Sequence, residues 1–188
     1  MSPEDRKQLV IERARELFVE HGYTGTSTAM IAKSADISEM TLFRYFPHKR
    51  DVFMSAIQPV LEVFTPEQDS SDEAKRGAVD TVLWTFLQRR MEFIQGHRKL
   101  VMLVLIESHL QSDLAGEFSP VHQVQTQLHS MLQGYGITVN DARLVIRLTT
   151  ALLMAMVFSP SDTKLDEAVS ARIFGSIQAV LQRGGGDR

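Results

Sequence analysis

Residues 38–44 carry several polar or charged side chains on one face of a predicted helix. Ser38 can cap a short helix, and the face opposite Leu42 and Phe46 carries Ser38, Glu39, Met40, Thr41 and Arg44. A helix with such a face can place its first turn against base edges in the major groove, while neighbouring hydroxyl groups and cations bind phosphates. It would equally suit the solvated side of a small helical bundle. These residues alone leave both interpretations open.

Residue types that carry catalysis or bind metals form no comparable pattern. The chain has no cysteine, which excludes disulfides, thiolate metal ligands and thiol nucleophiles. Its histidines form no HExxH motif, and of them only His122 and His129 share a predicted helix face. No glycine-rich phosphate loop or GxSxG motif is present. We therefore predict that the protein is not an enzyme and expect no metal or other cofactor.

Three helices are predicted to position the polar face. Their predicted bounds are Pro3–His21, Thr28–Ser34 and Glu39–Phe46. The first and third carry apolar residues at three- and four-residue spacing, and the second would turn Ile31 and Ala32 inward. Gly22 suits the left-handed position that ends the first helix. A short turn at 35–37 joins the other two, which is the order of a helix-turn-helix.

The rest of the chain is also predicted to be helical. A fourth helix begins near His48 or Lys49, with a kink or an early end expected at Pro59, and a loop follows at 65–72. Further helices are predicted over 72–95, 98–111, 114–132, 140–158 and 165–182. The valine-rich run at 100–106 would also fit a buried strand, but no other segment alternates as a partner strand would. The sequence therefore predicts an all-α fold of about nine helices.

A series of short blocks runs through residues 9–53 without insertion or deletion. The blocks are Ala14–Phe18, His21–Tyr23, Thr26–Thr28, Ile31–Ala32, Ala35–Ser38, Thr41–Phe46, Lys49 and Val52–Phe53. They resemble the DNA-binding domain of the TetR (AcrR-type) family of transcriptional regulators. The resemblance implies a helix-turn-helix DNA-binding domain over 1–48, a larger helical regulatory and dimerisation domain over 49–183 and a flexible tail over 184–188.

The resemblance also implies a function and the residues that serve it. The expected protein is a ligand-responsive repressor that binds a palindromic operator in double-stranded DNA as a homodimer and is released by a small apolar or aromatic effector. Carried over by position, phosphates would be held by Thr26, Ser27, Thr28, Tyr45 and Lys49, and bases would be met by Glu39, Met40 and Thr41. Three positions depart from the family pattern, and one of them is Met40, which stands where a small residue is usual. Asp36 replaces a turn glycine, although aspartate tolerates the left-handed conformation, and Phe43 replaces a tyrosine that could bond a phosphate.

Apolar and sulfur-containing residues are spread over the predicted carboxy-terminal helices. The resemblance implies a ligand pocket, whose candidate lining is Trp84, Met91, Met102, Ile106, His109, Phe118 and Leu152. Polar groups such as Glu107 or Gln125 could anchor a ligand there. Ordinary cores use the same residue types, so core packing stays the alternative for each of them.

The last two predicted helices carry a large apolar surface that must be buried against other helices. The candidate dimer interface consists of Leu148, Leu152, Ala155, Val169, Ile173, Ile177 and Leu181. A four-helix interface between two copies would bury such a pair, as the resemblance also implies. Burial within a single chain is the alternative.

Charge and hydropathy set the remaining expectations. The net charge is −3, but residues 1–50 hold eight Lys and Arg against seven Asp and Glu, with a local cluster at Arg44, His48, Lys49 and Arg50. No apolar signal segment opens the chain, and its longest apolar run, Ala151–Phe158, is too short to span a membrane. We expect a cytoplasmic protein without a membrane partner. The alternative to a DNA-binding regulator is a helical module that senses or carries an apolar ligand without binding DNA.

Overall fold

A computed structural model of the chain describes residues 2–64, 78–110, 119–158 and 167–184. The helices within these ranges are α1 (Pro3–Gly25), α2 (Thr28–Ser34), α3 (Glu39–Tyr45), α4 (Lys49–Ala56), α5 (Gln58–Phe64), α6 (Val79–Leu110), α7 (Pro120–Gly134), α8 (Val139–Phe158) and α9 (Glu167–Gly184). No strand occurs in the described ranges, and residues 100–106 are helical. The predicted all-α fold is confirmed.

The chain folds as two compact units. The described residues of unit 1 lie within Met1–Glu62 and Lys99–Phe118, and those of unit 2 lie within Val63–Arg98 and Ser119–Arg188. Unit 1 contains the predicted helix-turn-helix together with the last part of α6. The functional division predicted at residues 48 and 49 stays a prediction, because compactness does not show which residues bind DNA.

Helix α1 opens unit 1 with a capping box. The Ser2 hydroxyl accepts the Asp5 amide at 3.0 Å, and the Asp5 carboxylate accepts the Ser2 amide at 2.8 Å. The hydrogen bond from the Ser2 backbone, and then that with its hydroxyl, lowers the pKa of Asp5 from its ordinary value. At the other end, Gly22 with φ of 72° and ψ of 175° interrupts the helical geometry, as predicted, but α1 does not end there, because residues 23–25 form its last helical turn after the kink.

Aromatic rings form the centre of the core of unit 1. Phe18 of α1 meets Phe53 of α4 edge to face with ring centroids 5.0 Å apart, and Tyr23 meets the same Phe53 ring at 5.0 Å. The Arg15 Nε donates to the Ala56 carbonyl at 2.9 Å and so ties α1 to the end of α4. This packing gives α2 and α3 a fixed support.

The turn between α2 and α3 is a Schellman motif. Asp36 has φ of 52°, its amide donates to the Lys33 carbonyl at 3.3 Å, and the Ile37 amide donates to the Ala32 carbonyl at 3.0 Å. The left-handed conformation predicted for Asp36 is confirmed. The same motif ends α7 in unit 2, where the left-handed residue is Gly136.

Two further interruptions agree with the sequence. The helix predicted around Pro59 is divided at Ile57 into α4 and α5, so that Pro59 falls in the first turn of α5, where a missing amide costs no helical bond. Helix α6 departs from helical geometry at His97, with φ of −131° and ψ of 27°, between the helices predicted over 72–95 and 98–111.

Unit 2 is built from α7, α8, α9 and the part of α6 before Lys99. Each of α6, α7 and α8 buries apolar residues at three- and four-residue spacing, among them Leu83, Leu87, Leu128, Leu132, Val145 and Leu152. The Trp84 and Phe174 rings, 4.6 Å apart, join α6 to α9. Ser119 caps α7, and its hydroxyl accepts the His122 amide at 3.4 Å. The loop predicted at 65–72, the start of the helix predicted from 114 and the tail after 184 lie outside the described residues.

Candidate nucleic-acid interface

Helix α3 turns its predicted recognition face to solvent. Ser38, Glu39 and Arg44 are exposed, Met40 is 83% exposed, and Thr41 is half-buried. The Ser38 hydroxyl accepts the Thr41 amide at 3.1 Å and lies 3.0 Å from the Thr41 hydroxyl. These bonds satisfy the first turn of α3 and hold its side chains in place. Leu42, on the other side of the helix, is fully buried.

The first residues of α2 connect to this face. The exposed Ser27 caps α2, and its hydroxyl accepts the Met30 amide at 3.1 Å, which leaves the hydroxyl hydrogen able to donate elsewhere. The Thr28 hydroxyl donates to Glu39 Oε1 at 2.8 Å. The Glu39 carboxylate is therefore held across the turn between the two helices, and its second oxygen can accept a further bond.

Thr26 is positioned differently from its neighbours. Its side chain is fully buried, and its hydroxyl lies 2.8 Å from the Gly22 carbonyl and 3.2 Å from the Leu17 carbonyl, either of which it can donate to. The hydroxyl thus holds the end of α1 against the start of α2. Nothing in this geometry supports the phosphate contact that the resemblance implied for Thr26.

Lys49 also contacts the last turn of α1 and the residue that follows it. Its Nζ donates to the Tyr23 carbonyl at 2.9 Å and to the Thr26 carbonyl at 3.1 Å, and lies 4.2 Å from the centroid of the Tyr23 ring. An ammonium carries three hydrogens, so these two bonds leave one for a phosphate. Lys49 therefore has a structural role, and the phosphate contact expected of it stays a prediction.

Other cations and an aromatic ring lie near the end of α3. The guanidinium carbon of the exposed Arg44 is 5.8 Å from the centroid of the half-buried Tyr45 ring. Lys7 of α1 lies over the Phe46 ring at 5.6 Å, a placement not predictable from the sequence because it depends on how α1 packs. The exposed His48 stands at the start of α4.

The predicted pocket residues are divided between the two units. Trp84, Met91 and Leu152 belong to unit 2, Met102, Ile106 and His109 belong to unit 1, and Phe118 lies outside the described residues. Leu152 is buried, Met91 and Met102 are half-buried, Trp84 is 36% exposed, and Ile106 and His109 are exposed. The pocket stays a prediction.

The predicted interface residues differ in exposure. Leu152, Ile177 and Leu181 are buried within the single chain, Leu148 and Ile173 are half-buried, and Ala155 is exposed. The side chain of Val169 lies outside the described residues. For three of the seven positions, burial within the chain, the stated alternative, already accounts for the apolar residue.

The burial of two charged residues was not predicted from the sequence. Arg90 is 5% exposed, its guanidinium carbon lies 3.5 Å from the Phe86 ring centroid, and it donates to the Phe86 carbonyl and to Gln127 Oε1. Glu107 is 6% exposed and accepts the Tyr23 amide at 2.8 Å. Each occupies a core position of an apolar stripe, and a charge at such a position was the available clue in the sequence.

Neither a cluster of metal ligands nor a membrane-spanning helix occurs in the part of the chain that the structure describes. Within residues 2–64, 78–110, 119–158 and 167–184, no group of three or more His, Asp or Glu side chains could hold a metal ion. Over the same part of the chain, no helix combines the length and the apolar character needed to span a bilayer.

Comparison with known proteins identifies relatives of this chain. The regulator TcmR of Streptomyces glaucescens is 31% identical over 108 residues, covering 54% of this chain and 47% of the relative. The fatty acid metabolism regulator protein of Bacillus subtilis (strain 168) is 23% identical over 126 residues, covering 67% and 60%. The chain thus spans about half the length of these curated relatives.

A solved structure and a family model extend this comparison. The ketosteroid transcriptional regulator KstR2 of Mycobacterium tuberculosis superposes with a TM-score of 0.68 at 18% identity, covering 94% of this chain and 96% of that one, which shows a shared fold. Residues 10–56, from α1 to the end of α4, match the family model described as "Bacterial regulatory proteins, tetR family". In this amino-terminal region the chain therefore matches the tetR family of bacterial regulatory proteins.

Proposed function

We propose that the protein is a ligand-responsive transcriptional repressor that binds a palindromic operator as a homodimer. The observation that carries the proposal is the capped, solvent-facing α3 inside the region that matches the family model. Its exposed Met40 can contact a thymine methyl group, and the second oxygen of Glu39 can accept from a cytosine amino group. A face made in this way can read bases in the major groove.

Phosphate contacts would flank this face. Ser27 keeps a hydroxyl hydrogen after capping α2, Lys49 keeps one ammonium hydrogen, and Arg44 and Tyr45 stand at the end of α3. Local cations matter more here than the net charge of −3, because each contact neutralises one phosphate at short range.

Dimerisation is supported by an exposed apolar stripe on α8. Leu144, Ala151, Ala155 and Phe158 are exposed and Leu148 is half-buried, and these five positions alternate spacings of four and three residues. That spacing places them along one side of the helix, as in a helix-to-helix seam. We propose that this stripe, continued by the half-buried Ile173 of α9, packs against a second copy.

The proposed effector is a small apolar molecule that releases the protein from DNA. One relative is named for fatty acid metabolism and one structural neighbour for ketosteroids. Both names concern largely apolar compounds. The apolar and sulfur-containing residues predicted as pocket lining suit a ligand of that class.

The test is selection of bound sequences from a random DNA duplex library at moderate salt. We expect an enriched palindrome whose half-sites lie about one helical turn, roughly 34 Å, apart or a multiple of it. Arg44→Ala should weaken binding, whereas Arg143→Ala, which removes an exposed arginine of α8, should not.

Failure to enrich any sequence would contradict DNA binding. If light scattering also showed a dimer, that result would favour the alternative function, a helical module that binds an apolar ligand without DNA. A monomer that enriched single half-sites would instead contradict the proposed interface.

A further inference from the structure

Glu107 in the last part of α6 reaches the turn at Gly22 and Tyr23, where α1 is kinked. The residue belongs to unit 1 and is 6% exposed, and its Oε1 accepts the Tyr23 amide at 2.8 Å. Within the described residues, its Oε2 is buried and has no hydrogen-bond partner. A residue 84 positions along the chain therefore supplies the acceptor for one backbone amide of the DNA-binding region.

Gly22 makes this approach feasible in two ways. Its φ of 72° takes the following amide out of the helical direction, a conformation that other residues adopt only with strain. A Cβ atom at this position would also stand 3.1 Å from Glu107 Oε1, tighter than ordinary contact. The glycine thus exposes the Tyr23 amide and leaves room for the carboxylate that accepts it.

Stability alone does not favour a carboxylate at this place. A buried charge loses its hydration, and an apolar residue of similar volume commonly serves stability as well or better. Positions 100, 103 and 104, which precede Glu107 on the same stripe, are leucine or valine and are buried. The carboxylate differs from these neighbours in being able to fix a backbone group in one orientation.

The turn held by Glu107 leads directly to the DNA-facing residues. The backbone of Tyr23 is held on both sides of its Cα atom, because its amide donates to Glu107 and its carbonyl accepts from Lys49 Nζ at 2.9 Å. The Thr26 hydroxyl closes the turn onto the Gly22 carbonyl at 2.8 Å, and Ser27 then caps α2. Displacing the backbone of Tyr23 would move the start of α2.

We propose that Glu107 is a positioning residue for DNA binding: its carboxylate fixes the Gly22–Tyr23 turn and thereby sets the placement of Ser27 and Thr28. The proposal rests on the proposed function. Glu107 itself touches no DNA in this proposal, so its removal should weaken binding to every operator variant alike, without changing the preferred sequence.

The test compares Glu107→Ala, Glu107→Gln and Glu92→Ala in the full chain. Glutamine keeps an oxygen that can accept the Tyr23 amide, and Glu92 is an exposed glutamate of the same helix that serves as control. Operator affinity is measured by fluorescence anisotropy, and exchange of the Tyr23 amide is followed by NMR. We expect Glu107→Ala to weaken binding about tenfold, as loss of one charge-assisted hydrogen bond would. The operator affinity of Glu107→Gln should stay within about threefold of the wild type, and that of Glu92→Ala should equal the wild type.

Amide exchange separates positioning from general stability. Selective acceleration at Tyr23 and its neighbours in Glu107→Ala, together with the weaker binding, would support the proposal. Uniform loss of protection across unit 1 would overturn it in favour of a purely structural role. Wild-type affinity in Glu107→Ala would overturn it while leaving the proposed function intact, whereas a wild-type protein that binds no duplex would refute both.

Discussion

Replacing Lys49 by methionine tests whether its ammonium clamps the turn at the end of α1. Methionine keeps an unbranched side chain but lacks the ammonium group. The Thr26 carbonyl therefore loses its hydrogen bond of 3.1 Å and the Tyr23 carbonyl loses its hydrogen bond of 2.9 Å. A hydrogen bond to a charged group contributes about 1.5–3 kcal/mol when well buried. Because Lys49 is only half-buried, solvent screening reduces the contribution of each hydrogen bond. We therefore expect the free energy of unfolding to fall by about 2 kcal/mol when the two hydrogen bonds and the cation–π contact are lost together.

Urea unfolding of the full chain measures this loss, with tryptophan fluorescence reporting on unit 2 and aromatic circular dichroism on both units. Lys99→Met, which changes an exposed lysine of unit 1, is the matched control and should stay within about 0.5 kcal/mol of the wild type. A free energy of unfolding of Lys49→Met equal to that of the control would refute the clamp.

The salt dependence of DNA binding separates the two roles of Lys49. If its third hydrogen bonds a phosphate, the slope of log affinity against log salt should fall by about 0.9 in Lys49→Met, measured well below the unfolding temperature. Loss of stability without any change in slope would mean that Lys49 serves the turn alone.

Three further predictions follow from single positions. Asp36→Gly should stabilise the chain by about 0.5 kcal/mol, because relief of left-handed strain exceeds the added freedom of the unfolded chain; a lower melting temperature would contradict this. Met40→Ala should change the preferred operator sequence more than the overall affinity, and a uniform loss over all operator variants in a repeated selection would contradict its contact with bases. Because the folded pKa of Asp5 is lowered, its capping bond stabilises α1 above the ordinary carboxyl pKa and is lost as pH falls through the folded pKa. Amide protection in the first turn of α1 should therefore fall in acid, and Asp5→Asn should abolish that pH dependence when followed by NMR.

Interruptions of the helices were well predicted from the sequence because they depend on local backbone chemistry. Gly22 and Asp36 adopt the left-handed conformations expected of them, and Pro59 lies beside the break between α4 and α5. The break in α6 at His97 falls between the helices predicted over 72–95 and 98–111. In each case a single residue type or a short pattern contains the necessary information.

Partners distant in the chain were not predictable in the same way. Glu107 was considered as a ligand anchor, yet its carboxylate accepts the amide of Tyr23. Arg90 was not singled out, although it is buried against Phe86 and bonded to Gln127. A charged residue within an apolar stripe shows that a polar partner is needed, but the sequence does not show which one, since that depends on how the helices pack.

The residues that match the family pattern divide into two groups by the direction in which they face. Thr26 and Lys49 bond the carbonyls of the turn at the end of α1, whereas Ser27 and Glu39 stand at the solvent-facing ends of α2 and α3. Hydroxyl groups and ammonium ions bind backbone carbonyls as readily as phosphate oxygens, so residue type alone does not tell these roles apart. A shared pattern can therefore reflect a shared turn as much as shared DNA contacts. On this basis Thr26→Val should impair DNA binding only as far as it loosens the turn, in proportion to its loss of stability and with the salt dependence of binding unchanged.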